Sequence, residues 1–391
     1  MKTIPYGRQN INQDDIDAVV NVLKSDFLTQ GTIVPSFEMA ISEYCKVDHV
    51  ICVNSATSAL HIACLALGLK PGDYLWTSPI TFVASANCAR YCGAHVDFVD
   101  IDQKTYNMSI DRLAEKLKKA EAENKLPKIV VAVHLCGQSC DMEGIYRLGK
   151  QYGFKIIEDA SHALGAKYKN EPVGCCKYSD ITVFSLHAVK IITTGEGGMA
   201  LTNSFEFAEK MIRLRSHGIT RFPKEMTRTP DGAWFYQQLD LGFNFRMTDV
   251  AAALGLSQLK RLDDFVKRRH EIVDLYNKLL AGTNIVMPWQ HADTYSSYHL
   301  YVIKIPNSRL LNRNLIFERL RSNGILVNLH YIPVYQHPYY EQFGYDLSNF
   351  PESEKYYSEA ISLPIYPGLL DSDVEEIVEI LNRPINHQTI F

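Results

Sequence analysis

No uninterrupted apolar stretch in this 391-residue chain approaches the roughly twenty residues that a helical membrane span requires. Residues 1–10 also lack the apolar core of a secretory signal, so the expected location is the cytoplasm. An excess of one charge is missing too: 40 Lys and Arg against 44 Asp and Glu leave a net −4. That balance offers little to a polyanion, so neither nucleic acid nor a membrane surface is an expected partner. Repeats, low-complexity tracts and flexible linkers are likewise absent. No G-x-G-x-x-G follows a strand-like run and no Walker lysine occurs, which leaves nucleotide-cofactor readings weakly supported.

Cysteine is present, but in the wrong arrangement for metal or disulfides. The nine cysteines are an odd number, and Cys45, Cys52, Cys64, Cys88 and Cys92 sit inside apolar patterns, where a free thiol is a small hydrophobe. Cys136 and Cys140 are spaced C-x3-C near His134, yet no second ligand pair follows, and adjacent Cys175 and Cys176 suit zinc poorly. The expectation is a reduced protein with no metal.

What the chain does carry is alternation. Short β-rich runs at 50–53, 74–77, 95–99, 129–133, 154–158 and 180–184 are separated by helical patterns near 57–67, 82–91, 111–121 and 142–151. Strand–helix alternation with short connections predicts an α/β fold with a mainly parallel sheet covered on both faces. Ligands in such sheets gather beyond the C-terminal strand ends. One long helix is predicted over 248–280, ended by Gly282 and serving as the hinge. Beyond it come a strand (298–305), a helix (313–323), a short strand (325–329) and a last helix (372–381), the pattern of a smaller α+β domain. The predicted division is 13–247 for the large domain and 248–391, with 1–12, for the small one.

Lys190 lies between a strand-like run and Gly195-Glu196-Gly197-Gly198. Partial desolvation there would lower its pKa and free a neutral, nucleophilic amine. Most lysines are solvated surface charges, so the rest of a site must be found elsewhere. Asp159 ends a strand and suits the pyridine nitrogen of pyridoxal 5'-phosphate (PLP), although such an aspartate commonly just caps a turn. Asn54-Ser55-Ala56-Thr57-Ser58 joins a strand to a helix. Small residues, hydroxyls and free helix N–H groups suit phosphate there, or Ser55 and Thr57 are ordinary caps. Ser185 could add a phosphate donor. Phe82 follows a strand at the same edge and could stack on a ring, or be core. The run 242–247, around Asn244, puts polar groups in an apolar context before the long helix.

In this order, the motifs resemble fold-type-I PLP enzymes, and more closely the DegT/DnrJ/EryC1/StrS sugar aminotransferase family. The resemblance covers nearly the whole chain and includes Leu28-Thr29-Gln30-Gly31, the run 158–165, the Lys190 segment and residues 242–259. It implies a homodimeric transaminase. Lys190 would hold PLP and shuttle the proton, Asp159 would pair with the pyridine nitrogen, and Ala56, Thr57 and Ser185 would bind phosphate. Asn244 would reach the phosphate of the other subunit's cofactor. His162 stands where many members have a glutamine that contacts the cofactor's ring oxygen, and Cys136 replaces a more usual aromatic. Members that deoxygenate replace the lysine by histidine, so Lys190 favours transamination.

Within the family the likeness is greatest to members serving pseudaminic acid biosynthesis, carried by residues 185–194, 215–218 and 328–335. It implies transfer of an amino group from L-glutamate to C4 of a UDP-4-keto-6-deoxy-N-acetylhexosamine, UDP-2-acetamido-2,6-dideoxy-β-L-arabino-hex-4-ulose. Tyr6, Asp26, Phe27, Leu28, Thr29, His330 and Tyr331 would line the UDP-sugar site. Alternatives are an aminotransferase of bacillosamine or perosamine type, a 3-aminotransferase, or a PLP-binding protein without turnover.

Overall fold

The run Ile129–Val133 (IVVAV) explains why a sheet forms: four of its five residues are β-branched and all five are buried, as a strand covered on both faces requires. The structure, a computed structural model, describes residues 3–306 and 312–383. Residues 1–2, 307–311 and 384–391 of the predicted small domain lie outside the described residues.

Seven strands form the central sheet in the order His49–Val53, Gly198–Thr202, Ile181–Ser185, Lys155–Asp159, Ile129–Val133, Tyr74–Thr77, His95–Phe98. Gly198–Thr202 runs antiparallel to both neighbours, and every other pairing is parallel. The sheet is thus mainly parallel, with its one reversed strand where the sequence offers only a glycine-rich turn. Val53, Thr77, Val133, Asp159 and Ser185 all end at one edge, and Gly198 starts there. Chemistry carried by the residues just beyond these ends is therefore brought together.

The helix predicted over 248–280 is two helices, Asp249–Leu259 and Leu262–Leu280. The apolar period runs on across the break. What interrupts the helix is Arg261 (φ −111°, ψ 7°), whose guanidinium donates to Asp15 at 2.5 Å and to Asn10 Oδ1 at 2.9 Å. Asp15 is fully buried and also receives Ser257 Oγ and Gln258 Nε2. This cluster joins residues more than 240 positions apart, so no local period could announce it. Gly282 follows the second helix as predicted, but as the third residue of a type II turn. Ala281 has φ −58° and ψ 135°, Gly282 has φ +78°, and Thr283 N–H donates to the Leu280 carbonyl.

Leu262–Leu280 serves two cores. Leu262, Phe265 and Val266 pack with Phe37 and Phe184, whereas Ile272, Tyr276 and Leu280 pack with Ile4, Tyr301 and Ile303. The second core is framed by Tyr301–Lys304 paired antiparallel with Ala360–Leu363. Ile4–Pro5 pairs parallel with Ile325–Leu326 beside it. Both Tyr301–Lys304 and Ile325–Leu326 are shorter than the sequence pattern suggests.

Helix Ile33–Cys45 has no side-chain cap at Thr32. Its opening N–H groups instead meet the fully buried Asp249 carboxylate, with Gly31 N at 2.6 Å, Ile33 N at 3.0 Å and Val34 N at 2.9 Å. Asp249 also begins its own helix, so two helix N-termini converge on one negative charge. Among the described residues no helix is long and apolar enough to cross a membrane.

Candidate active site

A cavity of about 570 Å³ opens at the sheet edge where the strands end. Two other cavities are larger, about 710 and 770 Å³; the first holds a desolvated lysine, Lys116, but its ammonium is ion-paired with Asp97 at 2.7 Å. Chemistry rather than size selects the site.

Lys190 lines the cavity from the loop that links Ile181–Ser185 to the reversed strand. That loop is closed on itself: Leu186 N–H donates to the Gly197 carbonyl, Thr194 N–H to the Leu186 carbonyl, and Lys190 N–H to the His187 carbonyl. Burial lowers the Lys190 ammonium from the ordinary lysine range to about 8, against the opposing pull of the Asp159 carboxylate.

Asp159 is buried at the end of its strand. Its Oδ2 accepts Ser85 Oγ–H at 2.6 Å and its Oδ1 accepts Ser161 N–H at 3.2 Å, so it caps a turn and also faces the cavity. Ser85 is in turn 2.7 Å from Thr81 Oγ1. Strand alternation sends the adjacent Glu158 to the other face, where it meets His134, Ser179 and Thr182.

Helix Ala56–Ala66 points its N-terminus into the same cavity. Ser55 is the N-cap, its Oγ accepting Ser58 N–H at 3.1 Å, so Ala56 and Thr57 present the free N–H groups of the first turn. A Cβ on Gly198 would stand 2.4 Å from Ala56 N, so this cup closes against the reversed strand only because residue 198 is glycine. Gly198→Ala is expected to push the cup open and lower PLP affinity roughly tenfold or more, as overpacking at 1–3 kcal/mol implies. Titration of the PLP-free protein with PLP, followed by absorbance, checks this.

Three buried imidazoles, His162, His299 and His330, line the cavity with Lys190, beside the exposed His187. Burial lowers all three, and the nearby Lys190 charge lowers them further, His330 to about 3. At neutral pH they are uncharged hydrogen-bonding groups. His162 Nδ1 accepts Cys136 N–H at 3.3 Å, its Nε2 lies 3.1 Å from the Tyr331 hydroxyl, and His299 packs 4.5 Å away. His162 and Cys136, the two positions where the resemblance leads one to expect other residues, are thus in direct contact.

Of the residues singled out in the sequence, the cavity brings together Ser55, Ala56, Thr57, Asp159, Ser185 and Lys190 on the sheet side. Phe82 stands at the mouth, 57% exposed, its ring 6.1 Å from Tyr331. Tyr6, His330 and Tyr331 form the facing wall, Tyr6 and His330 having ring centroids 5.1 Å apart. His162 sits between the two sides. Asp26, Phe27, Leu28 and Thr29 do not join this cavity within the chain. All four are exposed; Asp26 and Phe27 line the separate cavity near Lys260, and the Leu28 carbonyl accepts Asp249 N–H. Asn244 is also exposed and outside the cavity, in a bridge with Ser216. Sequence reasoning missed Ser85, Ser161 and His299. The four-residue spacing of Thr81 and Ser85 was the one available signal for Ser85; nothing local marks His299.

PLP fits these residues: a helix N-terminus in a cradle that a Cβ would fill, a buried carboxylate, and an amine held near neutrality. The DegT/DnrJ/EryC1/StrS aminotransferase family model matches residues 9–382. Over 379 residues the chain is 38% identical to a Campylobacter jejuni UDP-4-amino-4,6-dideoxy-N-acetyl-beta-L-altrosamine transaminase, covering 97% of this chain and 96% of that one. Helicobacter pylori PseC, an aminotransferase involved in the biosynthesis of pseudoaminic acid, matches with TM-score 0.88 and 32% identity, covering 97% of this chain and 98% of PseC. The PLP form of Spr1654 from Streptococcus pneumoniae matches with TM-score 0.87 and 31% identity, covering 97% and 98%.

Proposed function

The chain belongs to the DegT/DnrJ/EryC1/StrS aminotransferase family, and on that premise we propose that it moves the amino group of L-glutamate to C4 of a UDP-4-keto-6-deoxy-N-acetylhexosamine. It is a PLP-dependent sugar aminotransferase. The observation that carries the reading is the Lys190 amine, lowered by burial to about 8, in one cavity with the buried Asp159 and an open helix N-terminus. When bound, PLP supplies an electron sink for charge developing at the reacting carbon.

The residues divide the work. Lys190 Nζ would hold the cofactor covalently and, when free, would carry the proton at the reacting carbon. Asp159, held in place by Ser85 and Ser161, would pair with the pyridine nitrogen. The N–H groups of Ala56 and Thr57, with Ser55 and Ser185, hold the phosphate. Phe82 covers the ring face at the mouth. The large unit, 13–247, contributes this side, and the smaller unit, 248–391 with 1–12, contributes His330 and Tyr331 together with Tyr6 to receive the UDP-sugar.

Asn244 and the segment 26–29 are assigned to the site of a second copy in a homodimer. The support is their exposure together with apolar side chains exposed in the segment 221–241 that precedes Asn244: Phe222, Trp234 and Leu241 are 67%, 76% and 83% exposed. A second copy packed there would cover them.

Incubating the protein with PLP, L-glutamate and the product of a 5-inverting UDP-N-acetylhexosamine 4,6-dehydratase should yield a 4-amino-L-altro nucleotide, identified by NMR. A 3-amino product, or turnover confined to a GDP-linked keto sugar, would overturn the substrate. A second test follows from the lysine. Only the neutral amine captures PLP, so the capture rate in PLP-free protein should rise with pH and level off above about 8. At pH 7 the neutral share is roughly one-tenth. Stopped-flow absorbance across pH checks this; a rate still climbing at pH 10 would mean an ordinary solvated lysine.

A further inference from the structure

We propose that Tyr331 is a catalytic hydrogen-bond donor to the oxygen on the reacting carbon of the keto substrate, and that His162 is the positioning residue that aims it. This deepens the proposed function and rests on it.

The tautomer of His162 follows from its partners. Cys136 N–H donates to Nδ1 at 3.3 Å, which leaves that nitrogen no proton. Burial keeps the ring neutral, so the single proton is on Nε2, which donates to the Tyr331 hydroxyl oxygen at 3.1 Å. The Tyr331 oxygen is thereby an acceptor, and its own O–H is free. Among the described residues it has no other hydrogen-bond partner. Burial raises the Tyr331 hydroxyl above the ordinary tyrosine range, so it stays protonated and acts as a donor throughout the working pH range. A hydroxyl that accepts one hydrogen bond donates a stronger one, and in a buried site that polarisation counts for more.

The imidazole is fixed from two sides. Its backbone carbonyl accepts Ser297 Oγ–H at 2.7 Å, and Cys136 holds a left-handed conformation, φ +61°, from which its N–H meets the ring. Tyr331 stands in the wall facing Lys190, between Phe82 and His330. A ligand that fills the space between this wall and the sheet edge therefore brings its reacting carbon under Lys190 and its oxygen toward the only free hydroxyl proton of the relay. Donation there stabilises the charge that grows on that oxygen as the amine adds to the carbonyl carbon.

The test uses the holoenzyme, first aminated with glutamate and then mixed with the UDP-4-keto sugar in a single turnover followed by the cofactor's absorbance. Tyr331→Phe should slow this step roughly 100-fold or more, the size of effect seen when one such donor is removed. His162→Leu should slow it about tenfold or more, while His162→Gln should restore it, because an amide can accept from Cys136 N–H and donate to Tyr331 at once. The visible band of the resting enzyme should be unchanged in Tyr331→Phe, and KM should move less than kcat. An unchanged single-turnover rate in Tyr331→Phe overturns the proposal, as does a His162→Gln variant no faster than His162→Leu. Loss of the visible band in Tyr331→Phe would assign the tyrosine to the cofactor and overturn it too. The same variants are compared with 2-oxoglutarate, whose keto oxygen takes the same place, so a wrong sugar assignment leaves the proposal open to refutation.

Discussion

Lys190→Ala is expected to abolish the covalent visible absorption of the PLP-loaded protein and to cut turnover by about 10³-fold or more, since it removes nucleophile and proton carrier together. Two further measurements separate these roles from simple electrostatics. Lys190→Arg keeps the positive charge, but a guanidinium does not deprotonate in this range. It should be as inactive as the alanine variant. PLP should still bind the alanine variant without a covalent link, because the helix N-terminus at Ala56 and the Asp159 carboxylate are untouched. A Lys190→Ala protein that keeps turnover would sink the mechanism.

The second large effect is on stability. Asp249→Ala strips the carboxylate from three buried or half-buried N–H groups, those of Gly31, Ile33 and Val34, and leaves two helix N-termini without their shared charge. Three hydrogen bonds to a charged group at about 1.5–3 kcal/mol each, with overlapping helix-dipole terms, put the expected loss at about 5 kcal/mol. Asp249→Asn keeps one acceptor oxygen and should lose about half as much by the same reasoning. Denaturant midpoints measure both. The consequence extends to function, because the Asp249 carboxylate also holds the Gly31 N–H and so sets the course of residues 26–31. If that segment completes the partner's site, the variants lose activity below their unfolding temperatures. Full activity with lowered stability would remove 26–29 from the substrate site.

Much of the site was legible because its elements are locally encoded. A buried β-branched run followed by Asp159, by the cup at Ser55 or by the Lys190 loop is a short-range pattern, and a parallel sheet gathers such strand ends at one edge whatever the loops do. The reversed strand Gly198–Thr202 was harder, since antiparallel and parallel strands share the same period. The helix break at Arg261 was not legible at all: the apolar stripe continues through it, and the partner is Asp15.

By itself the sequence determined the class of fold, the family and the candidate groups for PLP, because each depends on residue type at short spacing. The tertiary structure decided which of those groups face one another. His162 and Tyr331 lie 169 residues apart, and Ser85 and Asp159 lie 74 apart. The lowered pKa of Lys190 likewise depends on what is packed around it. A hydrogen bond depends on distance and angle, and desolvation on every neighbour. Neither is a property of a local stretch of chain, so the nucleophile could be named from sequence while its environment had to be built.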